Sequence, residues 1–415
     1  MKRQVVVTGM GIVSCFGSDL NHYYDQLLAG RSGVGPIKGF DTTEFPVRIA
    51  GEIPDFDPGE YLNPKQARRF DPYLAYGVVA GKRAMEHAGL KGPSLEQLDL
   101  RRCGVVVGTG MGGMHTFADG VHTLRDKGVR RVSPFFVPYI ITNMAGALLG
   151  IEYGMMGPNY SVSTACATAN YSILLAAEHI RRGDADLMIC GGVEACITPM
   201  SLGGFVAIGA LSERNDAPEQ ASRPFDRDRD GFVMGEGAGV LILESLEHAQ
   251  RRGARPLANF LGGALTCDAY HITDTRPDGE GQALCLQMAM QDAGVRPEQV
   301  SYINAHATAT PVGDPSELVA IHRVFGSHTR KLKINSTKSL IGHGLGAAGG
   351  LEAIALIMGM QRQELHPTKN LVNPIAELGD LDPIAETSQK CTVEVGLSNS
   401  FGFGGHNSVL AFGAV

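Results

Sequence analysis

The chain has 415 residues and a net charge of −7, with 44% hydrophobic and 19% charged residues. That balance argues against a general nucleic-acid binder, and no apolar run reaches the roughly 18 residues of a membrane span. The length exceeds one ordinary core, so two large units are expected.

The start, "MKRQVVVTGMGIVS", runs directly into a strand and predicts neither a secretory signal nor a transit peptide. "NPKQARRFD" then gathers Lys65, Arg68 and Arg69 on one or two helical turns. "PYLAYGVVAGKRAMEHAGL" predicts a helix, and "RCGVVVGTG" a buried strand. That strand opens a G-x-G-x-x-G at Gly108, Gly110 and Gly113, a dinucleotide signature in outline. The polar stretch that follows contains no second apolar strand, so the glycines are assigned to tight turns and close packing. "RDKGVRRV" adds Arg130 and Arg131.

"SVSTACATAN" places Cys166 among small residues, directly before the helical "YSILLAAEHIRRG". "DLMICGG" and "GVLILE" predict further buried strands. After the basic "HAQRRGARP", "LANFLGGALTCDA" begins a strand again. The segments "AMEHAGL" at 84–90 and "AMQDAGV" at 289–295 echo each other, each ahead of a loop and a strand. Two similar α/β halves follow from this, residues 1–254 and 255–415, with the boundary near Ala254. Strand and helix alternation predicts layered α/β architecture.

The eight cysteines form no C-x-x-C pair, so buried reduced thiols are expected and no zinc spacing is present. Cys166 differs from the others. At a helix mouth, backbone N–H groups and the helix dipole favour a thiolate, and small neighbours permit a nucleophile elbow. "SYINAHATATPVGD" brings His306 to the end of a strand, and "INSTKSLIGHGLGAAGG" does the same for Lys338 and His343. Loops at strand ends build the sites of open α/β sheets. His87, His179 and His248 lie on polar helical faces and are expected to be solvated. "LSNSFGFGGHNSVLAF" predicts a glycine-rich turn between strands, with Phe401 and Phe403 as an aromatic gate and free backbone N–H groups nearby.

Taken together, "STACATA", "NAHATAT", "STKSLIGHGLGAAGG", "NSFGFGGHN" and "SRPFDRDRDGFVMGEGAGVLILE" closely resemble the β-ketoacyl-[acyl-carrier-protein] synthases, nearest the KAS I/II class and its plastid forms. The resemblance spans essentially the whole chain. It implies a thiolase-like fold, two pseudo-equivalent halves in five α-β-α-β-α layers, and a homodimer. It implies that Cys166 carries the acyl group and that His306 and His343 hold the malonyl thioester carbonyl during decarboxylation. The backbone N–H groups of Cys166 and Phe403 would form the oxyanion hole.

The same resemblance places Lys338 near Glu317 and Asp314, and gives the pantetheine arm of the carrier to Thr308 and Thr310. Asn304, Glu352, Ser398 and Asn399 match a structural monovalent cation site. No cofactor is required for the chemistry. The partner is an acidic acyl carrier protein, met by Lys65, Arg68, Arg69, Arg130 and Arg131, and the compartment is plastid stroma or bacterial cytoplasm. Gly209 departs from relatives that carry an arginine there for carrier docking. A chain-length factor would lack Cys166, and a thiolase would need a second catalytic cysteine where "FGFGG" stands.

Overall fold

Short runs of β-branched and small residues, spaced by helices, build one mixed sheet. The computed structural model describes residues 3–53 and 55–415. The ten strands of the main sheet are β1 (Val5–Val13), β2 (Cys103–Gly108), β3 (Asn159–Tyr160), β4 (Leu187–Glu194), β5 (Gly237–Ser245), β6 (Ala258–Cys267), β7 (Tyr302–Asn304), β8 (Lys333–Asn335), β9 (Val395–Gly402) and β10 (His406–Gly413).

Their spatial order is β8-β7-β9-β10-β6-β1-β5-β4-β2-β3. Read outward from the centre, the two sides repeat one pattern. β1-β5-β4 and β6-β10-β9 are antiparallel, and β4-β2-β3 and β9-β7-β8 are parallel. The sides join where β1 and β6 pair antiparallel, Val5 opposite Phe260 and Val7 opposite Ala258.

The principal helices are α1 (Pro72–His87), α2 (Met114–Lys127), α3 (Thr168–Arg182), α4 (Glu280–Ala293), α5 (Gly313–Phe325) and α6 (Ala348–Arg362). Side chains alternate across each strand, and the core divides accordingly. Val106, Met188, Cys190, Leu241 and Leu243 face inward with Ile173 and Ile180 of α3 and Ile354 and Ile357 of α6. Val105, Val107, Ile189, Val240 and Ile242 face outward against Leu74 and Val78 of α1. On the other side, Val409 and Ala411 face Leu286 of α4 and Leu318 of α5. Helices α3 and α6 touch strands of both sides. The result is five layers, helix-sheet-helix-sheet-helix.

The echo between the halves has a structural counterpart. Helices α1 and α4 both give way to a left-handed glycine, Gly89 (φ 72°) and Gly294 (φ 67°). The inner helices share a second device. Each starts from a 3₁₀ turn, Ala165–Ala167 or Leu345–Ala347, whose first residue has positive φ (Ala165 49°, Leu345 47°). A non-glycine residue there costs about 1–3 kcal/mol and persists only where the surroundings enforce it. The two turns touch, so the inner helix mouths converge at the centre of the molecule.

Candidate active site

Cys166 sits in the first of these turns, buried, and lines a cavity of about 440 Å³. The cavity wall includes Met111, Phe205, Phe232, His306, Thr308, Thr310, His343, Phe401 and Phe403. The side chains of Cys166, His306 and His343 bring ligand-type atoms within 4.8 Å of one another. The cysteine comes from the α3 turn, His306 from the loop after β7, and His343 from the loop before α6. Cys166 thus meets two histidines that lie 140 and more residues further along, because both sides of the sheet deliver loops to the same centre.

The backbone N–H groups of Phe403 and Cys166 face the Cys166 sulfur and favour its charged form, as does Lys338. Burial outweighs them and pushes the thiol up to about 12. The resting nucleophile is therefore a thiol. The sequence expectation of a thiolate at the helix mouth is corrected: the dipole is present, but the site is too dry for it to prevail. The Phe403 amide can approach because Gly402 has no side chain. A Cβ there would lie 2.7 Å from the Thr164 carbonyl oxygen and 3.0 Å from the Cys166 nitrogen.

The environment of His343 defines its tautomer. The Leu345 backbone N–H donates to Nδ1 at 3.3 Å, so Nε2 carries the proton. That Nε2 is buried with no hydrogen-bond partner among the described residues. His306 likewise has a buried Nδ1 without a hydrogen-bond partner among the described residues, and its ring stands 5.4 Å from that of His343, edge to face. Burial first, then Lys338, depresses both imidazoles well below their ordinary range and keeps them neutral. A Cys–His–His set can hold a metal. Here the Leu345 N–H opposes it, because a metal on Nε2 would force a proton onto Nδ1 against that donor. The arrangement suits hydrogen-bond donation into the cavity.

Lys338 is buried and its ion pair is with Glu352; its charge also acts on Glu317, near which the resemblance placed it. Glu317 instead accepts from the His306 and Ala307 N–H groups at 3.0 and 2.8 Å and from Asn399 Nδ2 at 2.8 Å. Asp314 accepts from the Phe225 N–H at 2.8 Å and the Thr310 N–H at 3.3 Å. Thus Glu317 holds the histidine loop, and Asp314 the threonine loop behind it. The Thr308 and Thr310 hydroxyls lie 3.1 Å apart at the cavity wall.

Among the described residues, four buried oxygens of the residues matched to the cation site have no hydrogen-bond partner: Asn304 Oδ1, Glu352 Oε2, Ser398 Oγ and Asn399 Oδ1. All four residues are buried, and β7 and β9 set Asn304 opposite Ser398. Phe401 packs against His306 and Phe403 against Phe205. Gly209 is exposed at the cavity rim with φ 71°.

Lys65, Arg68, Arg69, Arg130 and Arg131 are all exposed, and none forms an ion pair among the described residues. Arg69 lies 6.0 Å from the Phe135 ring centroid, which ties the 64–69 helix to the segment beyond Arg130 and Arg131. The expectation of solvated helical histidines is corrected at two positions. His179 and His248 are half-buried and bonded to Asp184 and Glu244.

Sequence comparison now decides the family. The profile "Beta-ketoacyl synthase, N-terminal domain" matches residues 2–249, and "Beta-ketoacyl synthase, C-terminal domain" matches residues 257–372. The chain belongs to the beta-ketoacyl synthase family. A chloroplastic 3-oxoacyl-[acyl-carrier-protein] synthase I of Arabidopsis thaliana is 57% identical, over 100% of this chain and 87% of its own. A 3-oxoacyl-[acyl-carrier-protein] synthase 2 of Synechocystis is 47% identical, over 99% and 98%. The crystal structure of a beta-ketoacyl synthase from Burkholderia phymatum superposes with a TM-score of 0.92 at 34% identity, covering both chains completely. A type II polyketide ketosynthase in complex with its acyl-carrier protein, bound to a hexaketide, gives 0.90 at 35%, again over both whole chains. This synthase thus has the thiolase-like fold of its family.

Sequence reasoning missed Glu194, which lines the cavity. The signal was a lone acid closing the apolar strand "DLMICGGVE".

Proposed function

We propose that this synthase performs the decarboxylative condensation of an acyl group held on Cys166 with malonyl-[acyl-carrier-protein], yielding 3-oxoacyl-carrier, CO2 and free carrier in fatty acid elongation. The observation that carries the reading is the meeting of Cys166, His306 and His343 around one cavity.

In the first step the Cys166 sulfur attacks the thioester carbonyl of an acyl-carrier. The C–S bond to the carrier breaks, and the cysteine proton leaves with the carrier thiol. The oxyanion that forms in passing is held by the N–H groups of Cys166 and Phe403. In the second step malonyl-carrier binds, its carboxylate departs as CO2, and the electron pair passes to an enolate. His343 Nε2–H and the His306 ring donate to that enolate oxygen. Neutral donors polarise the carbonyl without surrendering a proton. The carbanion attacks the acyl carbonyl, the C–C bond forms, the C–S bond to Cys166 breaks, and one proton restores the thiol.

Thr308 and Thr310 would hydrogen-bond the phosphopantetheine arm that the carrier brings. Phe401 and Phe403 would gate the cavity. Lys65, Arg68, Arg69, Arg130 and Arg131 would meet the acidic carrier, and their freedom from ion pairs supports this. Gly209 offers no cation at the rim, so docking would rest on those five.

The four orphaned oxygens of Asn304, Glu352, Ser398 and Asn399 fit a hard monovalent cation, which would neutralise the second Glu352 oxygen. A homodimer would cover Phe117, Val121 and Leu124, exposed at one-turn spacing on α2. In this reading residues 1–254 supply the nucleophile and 255–415 the histidines, lysine and gating turn. The mirrored strand order and the gap between the two profile matches support it. The relatives named above make plastid stroma or bacterial cytoplasm the expected compartment.

The test is a condensation assay with acyl-carriers of graded length and malonyl-carrier, read by mass spectrometry. Wild type should give 3-oxoacyl-carrier and Cys166→Ala none. No product from wild type with any primer would refute the reading.

A further inference from the structure

Glu194 closes β4 and is fully buried. Each of its oxygens accepts two hydrogen bonds. Oε1 takes the Thr109 hydroxyl at 2.8 Å and the Met111 N–H at 3.1 Å. Oε2 takes the Gly110 N–H at 2.9 Å and the Gly346 N–H at 3.0 Å. All four contacts are donors that favour the charged form, while burial pushes its pKa up. Two of the four, the Gly110 and Met111 N–H groups, are turn amides of the G-x-G-x-x-G segment, and there they hold a side chain of the protein.

Two glycines make the clamp possible. A Cβ on Gly110 would lie 2.7 Å from Glu194 Oε2, and one on Gly346 would lie 2.6 Å from the same oxygen and 2.5 Å from the Gly110 nitrogen. The carboxylate therefore locks two separate chain segments at close range. One carries Met111 and the other Leu345, and both side chains belong to the cavity that holds Cys166.

We propose that Glu194 is a positioning residue that sets acyl-length selectivity, by fixing the Met111 and Leu345 segments as a rigid wall of the acyl cavity. It touches neither reacting atom. Its effect on the wall passes through the main chain of residues 109–111 and 346, while its charge separately opposes ionisation of Cys166. A rigid wall rejects a chain that overreaches it, whereas a loosened one yields. Apolar pockets discriminate by about 10- to 200-fold per methylene only when they do not give way.

The inference rests on the condensing activity proposed above. Glu194→Gln replaces one acceptor oxygen by an NH2 group that faces N–H or O–H donors, so at least one bond is lost with little change of volume. Thr109→Val removes one donor to Glu194 together with the acceptor of the Gly112 N–H, keeps the carboxylate, and is the second variant if Glu194→Gln fails to fold. Each is assayed beside wild type, with kcat/KM measured for acyl-carriers from short to long and Cys166 alkylation by iodoacetamide as a check on the nucleophile.

The ratio between best and worst acyl lengths should fall about tenfold in Glu194→Gln and less in Thr109→Val. Alkylation should persist in both, and Glu194→Asp should recover part of the selectivity. A uniform loss across all lengths, or an unchanged profile, would overturn the proposal. Absence of condensation by wild type would instead remove the activity on which it rests.

Discussion

Lys338 Nζ and Glu352 Oε1 form an ion pair with both side chains almost wholly out of solvent. The pair lies close enough to the site for its cation to act on three groups. Lys338 draws the Cys166 thiol toward the thiolate, and it holds His306 and His343 neutral. One buried charge thus favours the nucleophile and both donors. The lysine need not transfer a proton to matter.

That relationship predicts opposite chemistry at two kinds of group. With the Cys166 thiol at about 12, iodoacetamide alkylation should rise roughly tenfold per pH unit through the neutral and mildly alkaline range. Lys338→Met should slow alkylation at every pH, since the favourable charge is gone. A rate that levels off near neutrality would show that burial does not dominate the thiol.

Breaking the pair from the other side tests stability. Glu352→Ala leaves a buried ammonium uncompensated and should cost about 3–5 kcal/mol. Urea denaturation of wild type and variant measures it. Potassium or sodium should stabilise wild type more than the variant if the orphaned oxygens of Asn304, Glu352, Ser398 and Asn399 hold a cation.

The sequence carried the chemistry more legibly than its support. Cys166, His306 and His343 stand in short motifs whose residue types announce reactivity, and the structure brings all three to one cavity. The choice of Lys338's partner was not legible. Lys338 opens a one-turn helix and Glu352 lies within α6, beyond the turn that carries His343. Only the path of that turn decides that Glu352, rather than Glu317, faces the amine. The mirrored sheet was visible in two short echoes because each marks the same left-handed exit from an outer helix. The thiol's state depended on burial, which no motif spacing reports.

Glu236 makes a pH prediction away from the chemistry. It is buried beneath the Ile53 N–H, which donates at 2.8 Å, and burial raises its carboxyl from 4.5 to about 8. The folded state therefore prefers the protonated form. Its contribution is complete below 4.5 and is lost as pH rises through about 8. Glu236→Gln should flatten stability across that window by up to about 1.4 kcal/mol per pH unit. Denaturation curves across the same pH range check the slope.

Removing the enolate donor should spare the first half-reaction. His343→Ala should lower condensation about 100- to 1,000-fold, as loss of one oxyanion donor does. Transfer of an acyl group to Cys166 should continue. Stopped assays that separate acyl-enzyme formation from CO2 release would distinguish the two effects.

The most direct measurement follows the acyl group itself. Wild type and His306→Ala are incubated with acyl-carrier alone, digested, and the Cys166 peptide is weighed by mass spectrometry; malonyl-carrier is then added. The account predicts an acyl adduct on Cys166 in both proteins, discharged as 3-oxoacyl-carrier by wild type and retained by His306→Ala. An adduct on another residue, or discharge by His306→Ala at the wild-type rate, would contradict it.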